Sequence, residues 1–484
     1  MPNNSLKNKV LKGVGWSATD NLLHQGISFI IGLILARILS PAEYGLIGLA
    51  MVVITILSSF VDGGFSSALI RKKDVSEADY NTMFVFNMVV SISAYILLYI
   101  TAPLIARFME ADITLLIRVL GVTLIIHAFA IVQNTNLSKN INFKIPAITT
   151  SISSIISGIA GVICAFNGWG VWALVVQQLS SAMIRVVVLW ALNPWHPSIQ
   201  FSGTSMRYIW SFGWKILLSQ VLNQTWKQIY VIFVGKVYSP ATLGQYSRAR
   251  HYAQFVSSNL NGIVSKVTFP TLSTLQDNPG RMVEIYRRVI KVTMLVTVAC
   301  TFTMAAISEP LIYCLIGEKW MEAASYLPYI CVAVSLTPLH SINMNMLMIQ
   351  NRSDIYLLLE IVRKIVAVLP IIVGMYFGIK WMLVGVIFTA VINYFLNSYY
   401  SGRNLNYSAW KQLKDVAPAY MVGSTVALSI YFLKYLPISN FIILPLQLIV
   451  GTVVLLTVCE ISNLPEYVEI KNIVLDVLQK FKKN

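Results

Sequence analysis

Ser58-Ser59-Phe60-Val61-Asp62-Gly63-Gly64-Phe65-Ser66 returns 199 residues later as Ser257-Ser258-Asn259-Leu260-Asn261-Gly262-Ile263-Val264-Ser265. At the same offset, Ser40-Pro41-Ala42-Glu43-Tyr44-Gly45 returns as Ser239-Pro240-Ala241-Thr242-Leu243-Gly244. One residue out of step, Gly15-Trp16 returns as Gly213-Trp214. Further on, Ala102-Pro103-Leu104-Ile105 is matched by Glu309-Pro310-Leu311-Ile312, and Gly168 by Gly378, with an offset that drifts from 198 to 210. Small loop insertions produce such a drift. Short matches are common by chance in apolar sequence, but a run of them in one order marks a duplicated half.

The duplicated unit is built for lipid. Of 484 residues, 56% are hydrophobic and 12% charged, and the mean hydropathy is +0.69. Apolar runs of about 20 residues recur along the whole chain, each enough to cross roughly 30 Å of hydrocarbon. Fourteen helices are expected, at about 11–38, 45–69, 80–108, 113–138, 145–166, 169–192, 208–235, 241–265, 286–315, 324–349, 354–377, 380–401, 415–435 and 438–461. The expected fold is an all-α polytopic membrane protein. Helices 1–6 match helices 7–12, and an even number per copy makes both copies enter from the same side. They should then be related by an axis along the membrane normal, with a cleft between them, as in two-lobed transporters.

The expected organisation follows. Residues 1–192 form one six-helix lobe and residues 208–402 the other. A linker over 193–207, with Pro194 and Pro197, joins them on the cytoplasmic side. Helices 13 and 14 (403–464) lie outside the repeat. The tail, 465–484, places Ile470, Ile473, Val474, Val477, Leu478 and Phe481 at helical spacing beside Lys471, Lys480, Lys482 and Lys483. It reads as an amphipathic helix on the inner membrane surface.

Of the 36 Lys and Arg, 22 fall in loops on one side, 6 on the other and 8 inside spans. The positive-inside rule therefore places both termini in the cytoplasm. Most of the net charge of +16 is this asymmetry, and no nucleic-acid-binding motif accompanies it. The five cysteines stand singly with no CxxC, so neither zinc nor a disulfide framework is expected. The basic start leads into a long first span without a small-x-small cleavage site, so a cleaved signal peptide is not expected. No Gly-rich loop followed by Lys-Ser/Thr suggests direct use of ATP.

Charges inside spans are costly, at least about 2.5–3.5 kcal/mol each if they face mid-bilayer lipid. The cations are Arg118, Arg185, Lys215, Lys227, Arg248, Arg250, Arg363 and Lys364, and the acids Asp20, Asp62 and Glu360. Glu360 has Arg363 and Lys364 at i,i+3 and i,i+4, which suits a local ion-pair cluster. Arg118, near the outer end of helix 4, and Arg185, in the inner half of helix 6, either snorkel or face a cavity. Helix 7 carries a stripe, Lys215, Ser219, Asn223 and Lys227, every fourth residue. Its counterpart in helix 1 is Ser17, Asn21, Gln25 and Phe29. Polar stripes at matched places suggest that helices 1 and 7 line the cleft. Helix 8 adds Arg248, Arg250 and His251, of which only part can face inward. Lys215, Lys227, Arg248 and Arg250 are the expected anion-binding surface, with Arg118 and Arg185 as further candidates. Guanidinium groups pair with phosphate oxygens and lysines act as point charges. The cargo expected from this excess of cations bears phosphate or several carboxylates. Asp20, Asp62 and Glu360 are candidates for a coupling proton or sodium ion. Asp62 precedes two glycines and equally suits the cap of a helix break. The span histidines His24, His127 and His340 read as packed side chains.

Leu35-Ala36-Arg37-Ile38-Leu39-Ser40-Pro41-Ala42-Glu43-Tyr44-Gly45, followed by Asp62-Gly63-Gly64-Phe65-Ser66-Ser67-Ala68-Leu69-Ile70-Arg71, closely resembles the Wzx-type polysaccharide flippases of the multidrug/oligosaccharidyl-lipid/polysaccharide exporter superfamily. The resemblance runs over nearly the whole chain. It implies two six-helix lobes in a V and alternating access that moves an undecaprenyl-diphosphate-linked oligosaccharide between leaflets of a bacterial inner membrane. It implies membrane lipids and that polyprenyl-diphosphate cargo as partners, polysaccharide polymerase and glycosyltransferases as neighbours, and a proton or sodium gradient in place of any bound cofactor. Three alternatives compete. A multidrug exporter of the same superfamily needs an acidic cavity, against eight intramembrane cations to three acids here. A polysaccharide polymerase or ligase usually carries a large outer loop, and the longest here is about eight residues. In a non-transporting assembly protein the stripes would be packing contacts. Across the repeat, Ser17 becomes Lys215, Phe29 becomes Lys227 and Asp62 becomes Asn261. On that pattern an anionic headgroup would favour the second copy and a coupling carboxylate the first.

Overall fold

A computed structural model describes residues 24–193 and 195–483, all of them helices and connecting turns. Among these residues there is no β-strand, and ten helices are long and apolar enough to cross a membrane. The chain is an all-α, multi-pass membrane protein. The ten correspond to expected helices 2–6, 9, 10 and 12–14. Expected helices 1, 7, 8 and 11, the other four, hold most of the intramembrane polar groups. By packing, the chain divides into two compact units, Met1–Gly244 and Gln245–Asn484.

The first unit begins with α1, described over His24–Ile38. It continues through α2 (Pro41–Asp62), α3 (Phe65–Arg71), α4 (Glu77–Met109), α5 (Thr114–Lys139), α6 (Lys144–Phe166) and α7 (Val171–Leu192). The next helices are α8 (Gly203–Lys227) and α9 (Ile229–Val237). Ser40 starts α2 with a capping box: Glu43 N–H bonds to Ser40 Oγ at 3.4 Å, and the Glu43 carboxylate accepts from Ser40 N–H at 2.6 Å. Two orphan amides are satisfied in one exchange. Pro41 opens the helix, where its missing N–H costs nothing. Because the surrounding solvent is lipid, the usual burial pattern inverts. Ile92, Ile96, Ile100, Leu104 and Phe108 lie exposed along one face of α4, while Asn87 and Ser91 are buried.

α2 ends where the repeated stretch reads Asp62-Gly63-Gly64. Gly63 and Gly64 both take positive φ, 57° and 66°, and α3 restarts at Phe65. The break is held by close packing. A Cβ on Gly213 of α8 would meet the Phe65 ring at 2.2 Å. A Cβ on Gly64 would meet Ile216 at 2.5 Å. The Phe65 ring also stacks on Trp210 and meets Phe86 edge-on.

The other repeated stretch forms a reciprocal contact. α10 (Pro240–Ser273) begins in the first unit and runs past the packing boundary. A Cβ on Gly45 would lie 1.7 Å from the Pro240 carbonyl oxygen, and a Cβ on Gly244 1.9 Å from that of Pro41. Each copy of Ser-Pro-x-x-x-Gly sets its glycine on the proline of the other.

The linker is strapped to the first unit. Trp195 is buried against Tyr80 and Phe84, and its indole N–H donates to Glu77 at 2.9 Å. Gln133 donates to the Trp195 carbonyl at 2.8 Å. Ser198 and Ser202 N–H groups bond to Asn81 and Thr82, both at 2.9 Å. α8 then packs on α2, α3 and α4. The lobe limits drawn from the repeat put α8 and α9 in the second copy, whereas these contacts group them with the first unit.

The second unit contains α11 (Pro279–Ala306), α12 (Ser308–Ile316), α13 (Met321–Ser335), α14 (Thr337–Ile349), α15 (Ser353–Val366) and α16 (Leu369–Phe377). It ends with α17 (Ile379–Gly402), α18 (Ala409–Tyr431), α19 (Asn440–Ile461) and α20 (Pro465–Lys483). Expected helices 9, 10 and 11 each appear as two pieces, which part just before Pro310, Pro338 and Pro370. Proline lacks the amide for an i→i−4 bond and crowds the preceding turn. α11 packs on α18 and α13. The tail is helical as expected, and α20 rests on α11 through Arg288–Glu469 at 2.6 Å and Lys291–Glu466 at 2.9 Å.

Candidate functional site

The helix 7 stripe lies on α8, and all four of its members, Lys215, Ser219, Asn223 and Lys227, are exposed. One residue behind each of the first three, Trp214, Leu218 and Leu222 are exposed as well, continuing a row that starts at Trp210. Successive residues on a helix are about 100° apart, so α8 carries an apolar row beside a polar one. The apolar row suits lipid tails. The polar row does not, and if α8 spans the membrane as its sequence predicts, its two ammonium groups need water on that side. Lys227 closes α8, and a turn at Gln228 separates it from α9.

A second polar feature belongs to the first unit. α2, α5 and α7 frame a half-open cavity of about 230 Å³, lined by Ser58, Asp62, Asn134, Arg185 and the exposed His127 together with apolar side chains. Its geometry follows from helical spacing. Ser58 and Asp62 are i,i+4 on α2, and His127 and Asn134 are i,i+7 on α5. The break after Asp62 leaves its carboxylate at the end of a half-helix, where Ser66 Oγ donates to it at 3.0 Å across the gap. Asp62 thus stands at a helix break, one of the two readings its sequence left open, and it also lines this pocket. Discontinuous membrane helices are where transporters commonly build such sites.

The remaining candidates are scattered. Ser17, Asp20 and Asn21 lie outside the described residues. Gln25 is half-buried on α1, next to His24, whose ring nitrogen lies 2.8 Å from Ser154 Oγ. Arg118 packs over the Tyr99 ring at 4.2 Å and donates to the Tyr99 carbonyl, joining α5 to α4. Glu360 pairs with Arg363 at 2.8 Å one turn away. Arg248 and Arg250 are half-buried on the part of α10 in the second unit, Arg248 within 6.0 Å of the Trp320 ring. Lys215 and Lys227 belong to the first unit and Arg248 and Arg250 to the second. Of the six cationic candidates, Arg185 lines a pocket together with a candidate acid, Asp62. His127 completes that set, although its sequence surroundings suggested a packed side chain. No cluster of three His, Cys, Asp or Glu groups suited to a metal ion occurs among the described residues.

Comparison with known proteins places this geometry in a family. The family model for polysaccharide biosynthesis proteins matches residues 34–325, more than half of the chain. The succinoglycan biosynthesis transport protein ExoT of Rhizobium meliloti is 25% identical over 315 residues, 65% of this chain and 64% of ExoT. The chain thus spans a little under two thirds of that relative. The lipopolysaccharide biosynthesis protein WzxC of Escherichia coli is 21% identical over 436 residues, 88% of each chain. Among solved structures, the lipid II flippase MurJ in an inward closed conformation superposes with a TM-score of 0.72 at 15% identity, covering 93% of this chain and 98% of MurJ. An inward-facing multidrug resistance MATE family transporter of the MOP superfamily gives 0.62 at 16% identity, covering 79% of this chain and 94% of that one. At such identities the structures speak for the fold alone, and the fold agrees with the family. The chain belongs to the polysaccharide biosynthesis protein family.

Proposed function

We propose that this protein moves an undecaprenyl-diphosphate-linked oligosaccharide from the cytoplasmic to the periplasmic leaflet of a bacterial inner membrane by alternating access coupled to an ion gradient. The reading rests on one observation above the others. The helix α8, which the sequence predicts to span the membrane, turns Lys215, Ser219, Asn223 and Lys227 outward on one exposed face. Ammonium groups on a wet intramembrane face attract an anionic headgroup. The names of ExoT and WzxC, a transport protein and a lipopolysaccharide biosynthesis protein, support a sugar-bearing cargo. Both termini are cytoplasmic in this reading, and the membrane glycosyltransferases and polymerase of the same pathway are its neighbours. A gradient-driven carrier needs no catalytic group.

The test is a quadruple variant, Lys215→Gln, Lys227→Gln, Arg248→Gln and Arg250→Gln, in cells and in vesicles. Lipid-linked oligosaccharide should build up on the cytoplasmic face while the variant keeps a wild-type gel-filtration profile. Full transport by the variant would sink the proposal.

A further inference from the structure

In the second unit, α11 and the tail helix α20 frame an open groove of about 850 Å³. Small-molecule sites run from roughly 300 to 1,000 Å³. Two ion pairs fasten one end of it, Lys291–Glu466 at 2.9 Å and Arg288–Glu469 at 2.6 Å. That pairing is antiparallel, and its register carries Glu284 towards Asn472 and Gly280 towards Asp476, all four of which line the groove. The cations in the lining are largely engaged. Arg287 gives Nε and Nη2 to Asp415 of α18 at 2.8 and 2.9 Å, and Lys291 sits between Asp415 and Glu466. Arg288 differs: Glu469 takes its Nε alone, and the side chain is 63% exposed. A guanidinium has five N–H groups, so both amino groups of Arg288 remain for a ligand. At the open end stand Glu284 and Asp476, exposed and, among the described residues, in no ion pair. Glu284 lies one turn from Arg288 on the same face of α11.

The lining selects a ligand of both signs. An anion alone gains Arg288 but meets the carboxylates of Glu284, Glu466, Glu469 and Asp476. A metal ion or a basic peptide gains Glu284 and Asp476 but meets three cations. A phosphate joined to an ammonium group satisfies both sets. In phosphoethanolamine a two-carbon spacer holds the charges about one helical turn apart, the step from Arg288 to Glu284. Its primary ammonium donates three hydrogen bonds, whereas the trimethylammonium of choline donates none. Position favours a lipid over a soluble zwitterion. α11 is among the helices apolar enough to cross a membrane, and its first turns form one wall. On α20, Leu464, Tyr467 and Ile470 pack into the core of the second unit. Val468 lines the groove, and Leu475, seven residues on and also exposed, extends the same apolar face.

We propose that the groove between α11 and α20 seats the headgroup of an ethanolamine phospholipid, with its phosphate on Arg288 and its ammonium shared by Glu284 and Asp476. The inference is independent of the transported cargo, since it concerns a lipid of the surrounding bilayer. That lipid bridges α11 and α20 beyond their two ion pairs. Bilayer composition therefore sets how firmly the tail helix is held on the second unit.

The test titrates the full chain, stripped of lipid in detergent, with phospholipids of identical acyl chains and reads each bound lipid by native mass spectrometry. The headgroups are ethanolamine, its mono-, di- and trimethylated forms, and glycerol. The wild type should bind the ethanolamine lipid at least about fivefold tighter than the choline or glycerol lipid, with affinity falling at each methyl group. Glu284→Gln combined with Asp476→Asn should abolish that preference and raise affinity for the glycerol lipid. Arg288→Gln should weaken binding of the ethanolamine lipid, with partial recovery in Arg288→Lys. Equal wild-type affinity for ethanolamine and choline lipids, or an unchanged preference in the double variant, would overturn the seat. Tighter binding of the glycerol lipid would make the groove a site for anions and overturn it as well. Undiminished affinity in Arg288→Gln would remove the phosphate assignment. If that variant fails to fold, the methylation series on the wild type still decides. Soluble phosphoethanolamine should bind far more weakly than the lipid, and equal affinity would overturn the lipid assignment. In nanodiscs, amide exchange over residues 465–476 should be slower with ethanolamine than with choline lipid, and equal exchange would overturn the bridging of the two helices.

Discussion

The same nine-residue stretch appears twice and folds in two ways. In the first copy, Asp62-Gly63-Gly64 ends α2 and a new helix starts at Phe65. In the second, Asn261-Gly262-Ile263 lies inside α10, which runs unbroken from Pro240 to Ser273. The difference rests on one residue. Two consecutive left-handed positions are open to Gly-Gly, whereas a β-branched residue such as Ile263 strongly resists the second. A single glycine in a helix costs only about 1 kcal/mol against alanine, so α10 continues through it. A duplicated sequence therefore made one polar helix break where Asp62 meets a cavity, and one continuous helix. Homology between repeats is thus a guide to position rather than to conformation.

Four substitutions sharpen or break this comparison. The largest effect is expected where the copies remain alike. Gly45→Ala and Gly244→Ala each push a methyl group into the backbone of the other copy's proline, and neither contact has a flexible side chain to yield. Each should cost about 3 kcal/mol, read as a drop in thermal midpoint of the purified protein. Equal losses would confirm reciprocity, and a silent variant at either position would refute it. The next effect is at the break. Gly63→Ala places a Cβ 2.2 Å from the Phe65 ring at a φ of 57°, and should cost about 2 kcal/mol. The smallest is its counterpart, Gly262→Ala, where a Cβ meets nothing within 4 Å. That change should stabilise by up to about 1 kcal/mol. Opposite signs at equivalent positions are the expected outcome. A loss at Gly262 would mean that α10 needs its glycine for close approach or for bending.

Much of the architecture was legible before any coordinates, because a membrane demands about 20 apolar residues per crossing. The repeat was legible because its glycines and prolines mark turns and close contacts. The splitting of helices was not. Pro310, Pro338 and Pro370 stand where helices restart, yet Pro103, Pro328, Pro418 and Pro445 lie inside continuous ones. Proline permits a break, and the packing around it decides. The polar row on α8 was visible as a four-residue period. The cavity was not, because Asp62, His127 and Arg185 are brought together only by the packing of α2, α5 and α7. The i,i+7 pair His127 and Asn134 was the signal within reach, and it looked like an ordinary buried face.

The glycine–proline exchange between the two Ser-Pro-x-x-x-Gly stretches has a consequence for how such a chain arose. Proline 41 meets glycine 244, and proline 240 meets glycine 45. That is an isologous contact, the kind formed when one surface meets a second copy of itself. A half-length ancestor needed only one proline and one glycine to make both halves of the joint, by pairing as a homodimer. A single chain that carries both copies keeps the joint and lets every other position vary singly. It can hold Asp62 in one copy and Asn261 in the other, which a symmetric dimer cannot do.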